Sequence, residues 1–269
     1  MMLGTQPLLR YALGALAAVL LALSRPSAAR AQDIFEFQIY AYNTQGQGNI
    51  APQLLTTFAE KGRGEAGAGI PEQNTLRTAV ELEYGLTRRI DFAYYFNFAV
   101  DQQGTQYAGS KFRLRGRFAE KGELPIDLGW YAEIETWRKR FDDDTLEAEL
   151  MLTMQKDVGK WGFIANLPDV EKILRGASVH GMLELSWRAE VRYRYGPDLH
   201  FGLQTFGGIG DIGDVTPLQE QRQYIVPVLH IRLAEDITST VGLILGLTQS
   251  SDVVMIKANF TFNSHDDDW

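Results

Sequence analysis

Apolar and polar positions alternate with period two along most of this chain. Residues 76–86 put Leu76, Thr78, Val80, Leu82, Tyr84 and Leu86 on one face, against Arg77, Ala79, Glu81, Glu83 and Gly85. After a short link, residues 90–100 set Ile90, Phe92, Tyr94, Phe96, Phe98 and Val100 against Asp91, Ala93, Tyr95, Asn97 and Ala99. The pattern returns at 111–119, 125–138, 145–156, 160–167, 181–195, 199–207, 222–233, 238–248 and 253–262. With a less regular stretch at 51–60, these segments predict twelve strands. A helix fits poorly, because strict alternation would scatter apolar groups all around a 3.6-residue turn. Most of the segments are also long: soluble strands peak near 5–6 residues, whereas membrane strands need about 9–11.

The connections sharpen this reading. Tight turns are expected at 87–89, 120–124, 157–159, 196–198 and 234–236, alternating with links at 61–74, 101–109, 139–144, 168–180, 208–221 and 249–252. Short turns at one end and mostly longer loops at the other are the asymmetry of an outer-membrane barrel. The predicted fold is therefore all-β: a transmembrane up-and-down antiparallel β-barrel of about 12 strands. In lipid such a sheet must close on itself, since every backbone donor and acceptor needs an internal partner. The apolar face then meets lipid, with Trp130, Trp161 and Trp187 suited to the headgroup girdles, and the polar face lines a lumen. Pro227 falls within a predicted strand and is expected to mark a bulge.

The ends of the chain fit export. Arg10, the apolar run Tyr11–Leu23 and the small-x-small sequence Ala29-Arg30-Ala31 read as a signal peptide over 1–31, cleaved near Ala31. The run is too short to cross a bilayer, which needs about 20 residues. Its removal would take the formal charge from −8 to −11, which argues against nucleic acid as a partner. The chain has no Cys, excluding disulfides and thiolate chemistry. The expected organisation is a lead segment at 32–50, a barrel at 51–262 and a polar tail at 263–269. Residues 33–42 (DIFEFQIYAY) also alternate, but a thirteenth strand would break the even count of single-chain bacterial barrels. They are read as a periplasmic or lumen-inserted lead.

The run Glu83-Tyr84-Gly85-Leu86-Thr87-Arg88-Arg89-Ile90-Asp91-Phe92 resembles the strand-turn-strand signature of outer-membrane transporters named for a MetA pathway of phenol degradation. Phe35 to Tyr40 and the strand Lys111 to Phe118 are similar to such proteins as well. The resemblance rests on turn and strand grammar. It implies a barrel of roughly twelve strands with a transport role, and no phenol chemistry is carried over. Val254, Ile256, Ala258, Phe260 and Phe262 resemble the terminal signal read by the barrel-assembly machinery, although seven residues follow Phe262.

Lumen charge falls in blocks. Lys111, Arg113, Arg115 and Arg117 form a basic row; Glu133, Glu135, Glu147 and Glu149 form acidic rows beside it; Arg188, Glu190 and Arg192 mix the signs. Neighbouring strands lie about 4.8 Å apart, so these rows invite cross-strand ion pairs. They are the candidate lumen-lining residues, either facing a solute pathway or neutralising one another to plug the barrel. No cofactor or metal site is assigned. The Gly-rich stretch 207–214 reads as an external loop, Leu167–Gly176 as a short helix in a loop, and Arg138–Asp144 as a charged loop tip within reach of lipopolysaccharide. Ser178 beside His180 is the nearest approach to a hydrolase pair, but lacks an acidic orienter, so no enzyme is expected. The expectation is a passive channel or transporter for small solutes in the outer membrane. Its partners would be lipid, lipopolysaccharide and an unidentified solute. The alternatives are a non-conducting barrel with a charge-plugged lumen and an outer-membrane hydrolase.

Overall fold

The structure is a computed structural model that describes residues 35–62, 74–177, 179 and 183–263. The expected signal segment lies outside the described residues. Twelve long strands carry the fold: β1 (Ile50–Lys61), β2 (Thr75–Gly85), β3 (Ile90–Asp101), β4 (Gly104–Arg117), β5 (Asp127–Trp137), β6 (Leu146–Val158), β7 (Trp161–Arg175), β8 (Glu184–Arg194), β9 (Leu199–Asp211), β11 (Gln223–Ala234), β12 (Ile237–Gly246) and β13 (Val254–Phe262). A two-residue strand, β10 (Asp214–Val215), only extends β9. Each long strand pairs antiparallel with its neighbours in sequence. The barrel closes where β1 meets β13, from Gln53 opposite Thr261 to Lys61 opposite Val254. No helix among the described residues is long and apolar enough to cross a membrane; the spanning elements are strands.

The alternation sorts side chains as the closed sheet requires. Leu82, Phe112, Ile134, Leu150, Phe163 and Leu203 are among the large apolar side chains exposed on the outer face. Arg77, Glu81, Asp91, Arg113 and Glu133 are buried inside. Two outward-facing Trp side chains cover glycines on the adjacent strand: Trp130 lies opposite Gly116, and Trp187 opposite Gly207. A Cβ at either glycine would collide with the indole. Small residues here let the rings lie flat across the strand pair.

Several local expectations are corrected. The link at 101–109 is not a long loop: β3 and β4 are joined by Gln102 and Gln103 alone. Gly104 takes φ +101° and Asp101 Oδ1 accepts from the Gln103 amide at 2.7 Å, closing the turn. Conversely, 118–126 between β4 and β5 is longer than expected, so short and long connections do not alternate strictly. Leu167–Gly176 is not helical, because β7 runs on to Arg175 past an irregularity between Asn166 and Asp169, where Leu167-Pro168 is a cis peptide. The glycine-rich stretch continues β9 to Asp211 before turning into β10. Pro227 faces outward and causes no register shift; the ladder to β12 simply has no pairs between Ile225 and Val228.

At the short-turn rim Arg89 donates Nε to Glu120 Oε1 at 2.9 Å, and Arg117 Nη2 lies 2.9 Å from Glu120 Oε2. The hydrogen bond from Arg89, reinforced by Arg117, holds this exposed carboxyl below its ordinary range. The packing of Trp130 on Gly116 leads to a direct test. Gly116→Val should lower stability by about 1–3 kcal/mol, the usual cost of overpacking, while an equally apolar change at lipid-facing Leu150 should cost far less. Urea unfolding midpoints in lipid vesicles check the difference.

Candidate functional site

The segment before β1 occupies the lumen. Residues 35–45 run through the barrel as irregular chain, choosing the inserted position over the periplasmic one, and turn into β1 through 46–49. At the long-loop end Phe35 packs with Ala99, Ala108 and Phe141 and stacks on Trp137 at 5.1 Å between ring centres. Phe141 thus turns part of the expected charged loop tip inward. Lower down, Phe37 meets Phe206 and Tyr224 edge-on, within a cluster that includes Val226, Val228, Ile244 and Met255. One sector of the inner wall is therefore apolar, where alternation alone had assigned polar residues to the lumen. Phe37 gives that sector a hydrophobic partner instead of water.

Backbone hydrogen bonds fix the depth of the lead. The Tyr40 amide donates to Asn166 Oδ1 at 2.9 Å, and Asn166 Nδ2 donates back to the Tyr40 carbonyl at 2.7 Å. The Tyr40 ring lies 4.7 Å from that of Tyr131, with the Arg113 guanidinium 5.5 Å above it. At the short-turn end the Gln45 amide donates to Asp91 Oδ2 at 2.8 Å. The Gly48 amide reaches the Gly85 carbonyl at 2.8 Å, and the Gly85 amide returns to Asn49 at 3.1 Å. Gly85 faces the lumen here, and a Cβ on it would overlap the carbonyls of Gly46 and Gln45. A glycine is needed because two backbones touch.

The candidate charged residues all sit on the inner wall, Arg117 and Arg192 half-buried and the others buried. Their pairing differs from a simple ladder between β4 and β5. Lys111 does bridge to β5, with Nζ 3.2 Å from Glu133 and 3.3 Å from Glu135, and it also reaches Glu36 of the lead at 3.2 Å. Arg113 and Arg115 turn the other way. Arg113 lies 2.8 Å from Glu81, 3.2 Å from Glu83 and 3.4 Å from Asp91; Arg115 lies 2.7 Å from Glu83 and 3.0 Å from Asp91. Glu81, Glu83 and Asp91 were absent from the candidate set, although the alternation had already placed them on the same face. Their signal was the match between three acids on β2–β3 and the basic row on β4.

On the far side, β5 and β6 set like charges against each other: Glu133 opposite Glu149, and Glu135 opposite Glu147. Such pairs repel unless cations flank them. Lys111 serves Glu133 and Glu135, and Arg188 bridges Glu149 and Asp169, the latter at 3.0 Å. Carboxylate oxygens of Glu133, Glu135 and Glu149 lie within 4.8 Å of one another. Elsewhere Glu190 accepts from Arg192 Nε at 2.7 Å and from Gln204 Nε2 at 2.7 Å, and meets His230 Nε2 at 2.8 Å. Ser178 and His180 lie outside the described residues.

Neither a protein-family model nor a curated protein matches the chain. Solved structures do match in fold. An outer membrane channel from Pseudomonas putida F1 aligns at 11% identity and a TM-score of 0.59, over 84% of this chain and 99% of its own. The NanC porin aligns at 11% identity and 0.54, over 81% of this chain and 100% of its own. At such identities the likeness is one of fold.

The buried Arg113 yields a prediction. Arg113→Met leaves Glu81, Glu83 and Asp91 short of a cation and should cost about 3–5 kcal/mol, as when one partner of a buried ion pair is removed. Adding Glu81→Gln should recover part of the loss. Denaturant unfolding in vesicles measures both, and a loss below about 1 kcal/mol would mean that lumen water already solvates these groups.

Proposed function

We propose that the protein is a passive channel for small solutes in the outer membrane of a Gram-negative bacterium, with its lumen held shut by its own N-terminal lead. One observation carries the reading: the centre of the barrel is filled by a separate segment, 35–45, rather than by side chains of the wall alone. The described contacts holding that segment include hydrogen bonds, the bridge from Lys111 to Glu36 and aromatic packing, all of which can be broken without opening the sheet. The fold shared with an outer membrane channel supports it. The lumen residues are assigned no catalytic step.

A non-conducting barrel is the second reading, favoured by the density of buried ion pairs around Arg113 and Arg188. Planar-bilayer recordings separate the two. The protein should give small or rare conductance steps. Gly85→Leu, whose side chain would collide with the backbone of Gly46, should give larger or more frequent ones. If both proteins stay silent while migrating on gels as heat-modifiable folded barrels, the channel reading fails and the second stands.

A further inference from the structure

Between the lead and the wall opposite the acidic strands lies a cavity of about 120 Å³, ample for several waters or a small solute. Gln38 and Ile39 of the lead form one side, and strands β8, β9, β11–β13 and β1 form the rest. Toward the long-loop end Phe37 and its apolar neighbours pack around Phe206 and Tyr224. Toward the short-turn end stand Thr238 and Thr261, which pair across β12 and β13 one step inside Ile237 and Phe262.

The lining has a definite chemistry. Its one carboxylate, Glu190, is already satisfied by Arg192, His230 and Gln204. Lys257, only 1% exposed, is held by two neutral oxygens, the Phe37 carbonyl and Gln204 Oε1, each at 2.6 Å. Arg192 spends its Nε on Glu190. Two basic side chains therefore face one carboxylate in a partly enclosed space, an arrangement that favours an anion. Around them Gln53, Asn259, Thr238 and Thr240 supply neutral donors and acceptors at short range.

We propose that this cavity binds a small hydroxylated organic monoanion, with Lys257 and Arg192 holding the carboxylate and the amide and hydroxyl side chains reading its hydroxyl groups. This deepens the channel reading, on which the role of the site as a station for a passing solute rests. The acidic wall of β5 and β6 lies across the lead, so the two sectors of the lumen differ in charge.

Calorimetric titration of the full protein in detergent micelles tests the site without requiring conduction. Glycerate, which carries one carboxylate and two hydroxyls, should bind saturably. Glycerol and acetate, each lacking half of that chemistry, should bind at least about tenfold more weakly. Lys257→Met should lower glycerate affinity at least about tenfold. Because Lys257 also holds the lead, Asn259→Leu is the second variant: it fills the cavity, leaves both cations in place and should abolish binding. Heat-modifiable migration verifies that each variant is folded. Absence of saturable glycerate binding, glycerol binding as tightly as glycerate, or unchanged binding by Asn259→Leu would each overturn the proposal. A barrel that binds glycerate but never conducts would overturn the channel reading and leave the site standing.

Discussion

Hydrocarbon offers no hydrogen-bond partners, so a β-sheet that spans it must have no free edge. Everything else in this protein follows from that constraint. The pairing of β1 with β13 satisfies it, joining residues some 200 positions apart in the chain. Once the sheet is closed, the outer face has to be apolar and an inner face is created that no lipid can reach. A twelve-strand circumference lies between small barrels filled by their own side chains and large porins with open water channels. In this one a segment of the chain itself joins the wall side chains in filling the interior.

The inner face is filled in two ways, both following from the cost of burying charge and exposed apolar surface. Where the wall is charged, arginines act as hubs: Arg113 and Arg115 gather the acids of β2 and β3, while Arg188 gathers those of β6 and β7. The lead joins this network where Glu36 shares Lys111 with Glu133 and Glu135. Where the wall is apolar, Phe37 packs against it. The lead is thus complementary to the wall in both polarity and shape, and Gly85 and Asn166 fix its depth through backbone contacts.

The fold was legible because period-two alternation is a local property. The inward placement of Lys111, Glu133 and Arg188 needed only the parity of the strand. Pairing partners were harder. Register implied that Arg113 would meet Glu133 across β4 and β5, and the two are indeed opposite one another. Yet the guanidinium reaches back to Glu81, because three acids on β2 and β3 offered a deeper well of negative charge. The link between β3 and β4 was misjudged because β4 begins with Gly104, Thr105 and Gln106, which carry no alternation signal, yet pair with the end of β3.

Parity and strand length let the sequence by itself determine an all-β barrel, its lipid face and which side of each strand turns inward. These are properties of each segment taken alone, and lipid imposes them strand by strand. Tertiary structure alone decided what occupies the centre. The position of the lead, the direction in which each arginine turns and the cavity beside Lys257 depend on which distant side chains the closed sheet brings within a few ångströms. Coulombic and packing interactions at that range leave no periodic trace along the chain.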